Sequence, residues 1–517
     1  MNSNSNTSSV ADLTRYLQHL SIDIDAKNDS LAIILAAGHG KRIKSHTSKM
    51  LHKIWGAPTV MRVAEAAKEG LGTENQIIVV GIKARDVAEF LGKSRHRVFV
   101  FQAEQRGTGD AVRTALSAIS PNGFHGDVYI FPGDMGLLHA EVVKKFKMDF
   151  LSNKCDMMVL TGQYEGNPSF NTYGRILRVP AEDISGRSSG DDFDKVIEIK
   201  EHKDILALND SKPYSVKYNG HTYEFSKQEL INVREFNTGV FAFKADKLQS
   251  HIHQLKSDNV QNELYVTDLI SIFNRNGLTV KAAKAKDNKT VLGFNEKSVL
   301  REMERIAREQ VYDKLKNIIT IEDKDDFFIA DDVVQQIIEL DKKQGSLDIV
   351  IGKGVYIDNN VHLSKGVQIG NHAHISGNVY LGENVKIQES VNLSTYKHQT
   401  LRVGSGSELF KGDIIKGNLT IGENCLIESS VNMTGSDEFP TRIGNNVTIK
   451  GTSYIFGSIV EDNLWIEHSV LKCKHVEKIV KKDGSIQPIR YVLPLPEGLD
   501  SIKEISGECN YPPNSKR

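Results

Sequence analysis

A glycine turn, Gly38-His39-Gly40, runs straight into Lys41 and Arg42, and Lys49 follows a few residues later. Glycines let backbone N–H groups come close to a ligand, and the cations suit the phosphates of a nucleotide. Further along, the stretch Gln102-Ala103-Glu104-Gln105-Arg106-Gly107-Thr108-Gly109 sets a side-chain amide, which can donate and accept, beside a backbone open enough for a planar base. Asp134, in Pro132-Gly133-Asp134, is a hard carboxylate able to hold Mg²⁺ while the ion keeps waters and substrate phosphates as its other ligands. Each stretch alone also has an ordinary reading: a βα turn with solvated charges, a strand-to-helix loop, an Asx cap. Their combination and order are what call for one explanation.

Each of the three follows an apolar run. Leu31–Ala37, Gln76–Gly81, Arg97–Gln102 and Val128–Phe131 read as buried strands, while Val60–Glu69 and Lys83–Leu91 have helical character. Alternation of this kind predicts a mostly parallel sheet with helices on both faces. In such sheets ligands bind beyond the carboxyl ends of the strands, which gathers the three stretches at one site.

Composition bounds the rest. A chain of 517 residues, 39% hydrophobic and 25% charged, is too long for one core and has ample apolar residues for several. The formal net charge of −1 gives no support for a nucleic-acid-binding protein. Cys155, Cys425, Cys473 and Cys509 are far apart and form no CxxC pair, so neither a disulfide framework nor a zinc site is expected, and a reducing compartment is. The Asn- and Ser-rich start lacks the pattern of a secretory signal, and no stretch approaches the roughly 20 apolar residues needed to span a bilayer. The expectation is a cytoplasmic protein without membrane partners.

Residues 31 to about 310 resemble the sugar-1-phosphate nucleotidyltransferases, most closely the uridylyltransferase half of the bacterial bifunctional N-acetylglucosamine-1-phosphate uridylyltransferase/glucosamine-1-phosphate acetyltransferase family. The resemblance rests on LAAGHGKRIKSHTSKMLHKIWGAP from Leu35, QAEQRGTGDAV at Gln102–Val112, Gly133-Asp134, YGRI at Tyr173–Ile176 and KEHKD at Lys200–Asp204. It continues through FNTGVFAF at Phe236–Phe243, LYVTD at Leu264–Asp268 and GFN at Gly293–Asn295. It departs at Lys41, where the family usually has Thr, and at Ser48, where it has Pro.

The resemblance implies roles position by position. Leu35, Ala37 and Gly38 would border the nucleotide; Lys49 would bind its phosphates in the ground state and Arg42 would stabilise the departing pyrophosphate. Gln102, Gly107 and Thr108 would read uracil, Asp134 and Asn295 would hold Mg²⁺, and Gly174, Glu201, Asn237 and Thr238 would hold the acetamido sugar. The implied reaction is attack of a sugar-1-phosphate oxygen on the α-phosphorus of UTP.

From Ile351 a new period takes over. Ile351, Ile357, Leu363, Ile369, Ile375, Leu381, Ile387 and Leu393 recur every six residues, with Val355, Val361, Val367, Ala373, Val379, Val385 and Val391 each two residues ahead of a member of that series. Hexapeptide repeats of this kind predict a left-handed parallel β-helix, here interrupted between Ser394 and Asn418. In the family resembled, this domain is a trimeric acetyltransferase. In this chain Met433 and Thr434 replace that family's Tyr and Asp, and Ser405–Lys416 contains no histidine to serve as the base an acetyl transfer to an amine needs. His398 lies further back, in the irregular part, and His468 reads as a surface residue.

The expected layout is an α/β protein: a polar N-terminal extension (1–29), a Rossmann-like nucleotidyltransferase domain (30–300), a helical connector (301–346), a left-handed β-helix (347–472) that forms a homotrimer, and a C-terminal tail (473–517). The expected function is Mg²⁺-dependent uridylyl transfer from UTP to N-acetylglucosamine-1-phosphate. A bifunctional enzyme that also acetylates glucosamine-1-phosphate, a nucleotidyltransferase for another sugar-1-phosphate, and a non-catalytic scaffold of the same shape remain open at this level.

Overall fold

The computed structural model describes residues 4–38, 40, 43–119, 123–495, 498 and 501, with the backbone alone for 4–9. The chain divides into two units, Met1–Ala307 and Arg308–Arg517, and the boundary falls inside helix Lys297–Leu315.

The first unit is built on a sheet with strands β1 (Ser30–Ala36), β2 (Gln76–Val80), β3 (Arg97–Phe101), β4 (Asp127–Pro132), β5 (Met157–Gln163), β6 (Arg175–Arg178), β7 (Val196–Lys200), β8 (Glu235–Lys244) and β9 (Val280–Lys284). Their order across the sheet is β9-β5-β8-β4-β1-β2-β3, with β6 joined to β8 and β7 to β6. β1 is parallel to both neighbours, β2 and β4, whereas β8 runs antiparallel to β4 and β5.

The apolar run of β1 explains its central place: it has hydrophobic side chains on both pleat faces and must be covered on both. Ala32, Ile34 and Ala36 join a core with helices α1 (Asn4–Leu20), α2 (Thr59–Leu71), α3 (Ala84–Leu91) and α5 (Ala140–Asn153). Leu31 and Ile33 join another with α4 (Thr108–Leu116) and the helix Leu269–Arg275. The loops after β1, β3 and β4 therefore emerge together at the carboxyl edge.

The described part of the expected extension, residues 10–29, packs on the first unit. Leu13, Tyr16, Leu17 and Leu20 form an apolar stripe on α1, and Leu17 is buried in the core of the first unit. The chain then runs beside β3, where Ile22 N donates to Arg97 O (2.7 Å) and Phe99 N donates to Ser21 Oγ (2.9 Å).

The second unit is a left-handed β-helix of three parallel sheets. Ile351, Ile369 and Ile387 stack inside one sheet and Ile357 and Ile375 inside the next, so each hexapeptide supplies one side of a coil. The corners need left-handed backbone, which short polar side chains tolerate best; Asn384, Asn424 and Asn446 sit there with φ of 57°, 54° and 55°.

Three sequence expectations are corrected here. The coils do not break between Ser394 and Asn418: strands Leu401–Val403, Glu408–Leu409 and Ile414–Gly417 continue all three sheets. What interrupts the period is a loop, because Leu393 to Val403 spans ten residues where the repeat would give six. The same lengthening recurs from Met433 to Ile443, and the two loops meet, His398 Nε2 lying 2.7 Å from Asp437 Oδ2 while Gln399 Nε2 donates to Asp437 Oδ1 (3.0 Å). The stretch 301–346 is more than a connector: Thr320–Ile321 and Phe327–Ile329 are the first rungs of two sheets. At the far end, His475–Val476 and Ile489–Arg490, expected in the tail, add the last rungs.

The coils also bury polar side chains, Ser407, Thr441, Ser458 and Ser469 among them, and a carboxyl. Asp413 is fully buried and accepts from Phe410 N (3.1 Å) and from Val431 N (2.9 Å) of the next coil. Burial pushes its carboxyl up to about 8, against those two hydrogen bonds. A carboxyl raised on folding favours the native state while protonated, so this contribution is lost as pH rises from its unfolded value near 4 through 8. The thermal midpoint of the second unit is expected to fall between pH 5 and pH 8, and Asp413→Asn to flatten that decline; an equal slope in the variant would show that Asp413 is not its source.

Candidate functional site

Three loops at the carboxyl edge of the sheet, with the start of β8 and the segment 261–267, enclose a cavity of about 720 Å³. Of the residues singled out in the sequence, Leu35, Ala37, Gly38, Lys49, Gln102, Gly107, Thr108, Asp134, Glu201 and Asn237 line it. Arg42, with Lys41 and His39, lies outside the described residues.

At one end stands a buried cation. Lys49 opens a short 3₁₀ turn, Lys49–Leu51, and its Nζ donates to Asp134 and to Asn295 Oδ1 (2.9 Å). Asp134 follows β4 directly, and Gly293 lets the main chain pass against its carboxylate, since a Cβ there would lie 3.2 Å from Asp134 Oδ1. Two hard oxygen donors thus converge on one positive charge. That donor set fits Mg²⁺, which takes few protein ligands and completes its shell with water and phosphate. No group of three or more His, Cys, Asp or Glu side chains able to hold a metal occurs among the described residues, so Asp134 and Asn295 would carry such an ion with the substrate.

The opposite wall comes from the loop before α4. Gly107 has φ +104°, and a Cβ there would lie 2.5 Å from Leu264 O. The loop is tied to the segment facing it: Leu264 N donates to Arg106 O (2.7 Å), Gly109 N to Leu264 O (2.7 Å) and Val266 N to Thr108 Oγ1 (3.1 Å). Gln102, at the end of β3, is buried and directs its amide nitrogen at Gly107 O (3.2 Å) and Asp110 Oδ2 (2.9 Å).

A third wall is acidic. Glu201 follows β7 and packs under Gly174, where a Cβ would lie 3.1 Å from both carboxylate oxygens. Burial, and then the neighbouring charges of Asp204 and Asp268, raise Glu201 to about 7. Gly174 supplies its carbonyl to Asn237 N (2.9 Å) and is not among the residues lining the cavity. Asn237 lies at a bulge in β8, its Oδ1 accepting from Gly239 N (2.8 Å) where Gly239 has φ +82°.

Thr238 does not belong to this wall. It alternates to the other face of the strand, is buried, and donates its hydroxyl to Leu160 O (2.7 Å). Conversely, the cavity includes residues given no role from sequence: Gln105, whose Nε2 donates to Ala37 O, Lys203, which reaches Gln261 Oε1, and Thr267, 3.5 Å from Glu201 Oε1. All but Gln261 lie inside motifs quoted above, so the signal was there at the level of the segment.

The model of the MobA-like NTP transferase domain matches residues 32–203, and that of the bacterial transferase hexapeptide (six repeats) matches residues 348–383. The bifunctional protein GlmU of Clostridium tetani is 33% identical over 304 residues, 59% of this chain and 58% of its own. That of Pelobacter propionicus is 33% identical over 336 residues, 64% of this chain and 65% of its own. The chain thus spans less than two thirds of the length of these relatives. A UDP-glucose pyrophosphorylase structure complexed with UDP-glucose aligns over 55% of this chain and 100% of its own, with 15% identity and a TM-score of 0.39. This chain is therefore similar to MobA-like NTP transferase domains in its first unit, matches hexapeptide repeats in its second, and is similar over much of its length to the bifunctional GlmU proteins.

Proposed function

We propose that the first unit is a uridylyltransferase that joins UTP to N-acetylglucosamine-1-phosphate, giving UDP-N-acetylglucosamine and pyrophosphate. The observation that carries this reading is the convergence, in one cavity, of a buried amide beside a glycine loop, a cation held between two hard oxygens, and an acidic wall. These are the complements of a base, a triphosphate with its metal, and a polyhydroxylated acceptor. The similarity to the bifunctional GlmU proteins, and the family resemblance of the motifs, support uracil and the acetamido sugar within that plan.

An oxygen of the sugar-1-phosphate forms a bond to the α-phosphorus, the bond from that phosphorus to the bridging oxygen of the β-phosphate breaks, and pyrophosphate leaves. The nucleophile is already an anion, so the chain has little proton transfer to do. The Lys49 ammonium is placed to bind the phosphates, and Asp134 and Asn295 would hold Mg²⁺. Bound there, Mg²⁺ would neutralise charge on the triphosphate. Glu201 and Asn237 orient the acceptor, and positioning together with charge stabilisation supplies the rate of such a transfer. The homotrimer through the β-helix and a cytoplasmic location belong to the same proposal; no helix among the described residues is long and apolar enough to cross a membrane.

A pyrophosphate-release assay across sugar-1-phosphates and the common triphosphates tests the reading, with UTP and N-acetylglucosamine-1-phosphate expected to be preferred. In that assay Asp134→Ala is expected to lower kcat/KM by about 100-fold or more, as loss of charge stabilisation at the reacting phosphate would; near-normal release would refute the metal assignment. Because Glu201 is held near 7, its carboxylate is lost below that pH. The KM for the sugar phosphate is expected to rise from pH 8 to pH 6, and in Glu201→Gln to be high throughout without that dependence. An unchanged pH profile in the variant would remove Glu201 from acceptor binding.

A further inference from the structure

We infer that Asp110 sets which class of base the cavity accepts, by fixing which end of the Gln102 amide faces it. The inference rests on the nucleotide reading of this cavity and deepens it.

The amide of Gln102 is symmetrical in shape but not in chemistry, and its orientation follows from its partners. On its inner side stand two groups that can only accept: Gly107 O at 3.2 Å and Asp110 Oδ2 at 2.9 Å. Both require the Nε2 end. The carbonyl Oε1, to which no described residue donates, is what remains for the cavity that Gln102 lines. A carbonyl presented to a base edge takes an imino N–H, as uracil offers at N3. Cytosine offers a lone pair at that position. To receive cytosine the amide would have to turn over, setting Oε1 against the Gly107 carbonyl and the Asp110 carboxylate at once.

Asp110 is itself fixed. It is 8% exposed, on the first turn of α4, and its two oxygens have separate partners: Oδ2 takes Gln102, while Oδ1 takes Arg113 Nη2 at 2.5 Å. This division makes an informative variant. In Asp110→Asn only one oxygen remains. The charged guanidinium, the stronger donor, is expected to claim it. The Nδ2 of the new side chain then faces Gln102 and favours the turned-over amide, against Gly107 O alone, so that Nε2 is free to face the cavity in part of the population. Removing the competing claim with Arg113→Leu lets the asparagine turn its oxygen back to Gln102. Arg113 is half exposed, so its loss leaves the core intact.

Asp110 is thus a positioning residue, and its signature is a ratio rather than an affinity. Binding of UTP and of CTP to the full chain is measured by titration calorimetry. The wild type is expected to prefer UTP by about 100-fold or more, since a site built to hydrogen-bond one edge rejects the edge that cannot pair. Asp110→Asn is expected to lower that ratio about tenfold or more, by weakening UTP and strengthening CTP. Asp110→Asn with Arg113→Leu is expected to restore most of it, and Arg113→Leu alone to leave it unchanged. An unchanged ratio in Asp110→Asn, equal weakening of both nucleotides, or a double variant no different from the single one would each overturn the inference while leaving the nucleotide site standing. If the wild type binds neither nucleotide, the reading of the cavity fails and the inference falls with it.

Discussion

The ammonium of Lys49, buried between Asp134 and Asn295, is the interaction on which the first unit's site turns. Asn295 stands 246 residues further along the chain than Lys49, so the whole sheet must be assembled before the three groups can meet. A charge taken out of water is tolerated only where geometry and partners are well provided, and here the partners are oxygens suited to a divalent cation. The arrangement satisfies the ammonium with side-chain oxygens drawn from two distant parts of the chain.

Around that point the cavity is graded in charge. At one end the Lys49 ammonium is paired with Asp134, the wall with Gln102 and Gly107 presents oriented amides, and the wall with Glu201 presents a carboxyl that burial, and then the charges of Asp204 and Asp268, raise to about 7. A ligand uniform in charge would fit such a gradient poorly.

Much of this is legible in the sequence. The strand-then-loop order gathers Gly38, Gln102 and Asp134 because strands alternating with helices form a parallel sheet whose loops emerge at one edge, and the six-residue period marks a β-helix because its apolar positions stack coil on coil. Thr238 was misplaced for a physical reason: next to Asn237 in the motif, it alternates to the opposite face of β8, and the bulge that begins there cannot be read from residue types. The gap after Ser394 misled because loops lengthen the spacing in sequence without disturbing the sheets, whose register is set by the stacked interiors of Leu393, Ile415 and Met433. The stripe on α1 is short and set among Asn and Ser, so its role in the core shows only once β3 is there to receive it.

The loop before α4 is tied to the segment 264–266 by three hydrogen bonds, with Gly107 fitted so closely against Leu264 O that a Cβ would lie 2.5 Å from it. The main-chain freedom of that loop is thus spent during folding rather than at the moment of binding. Ordering a loop residue on binding would otherwise oppose association by about 1 to 2 kcal/mol for its backbone alone. The proposed base end is in this sense a pre-set mould, and any adjustment on ligand arrival falls to long side chains at the other walls, Lys49 and Lys203 foremost.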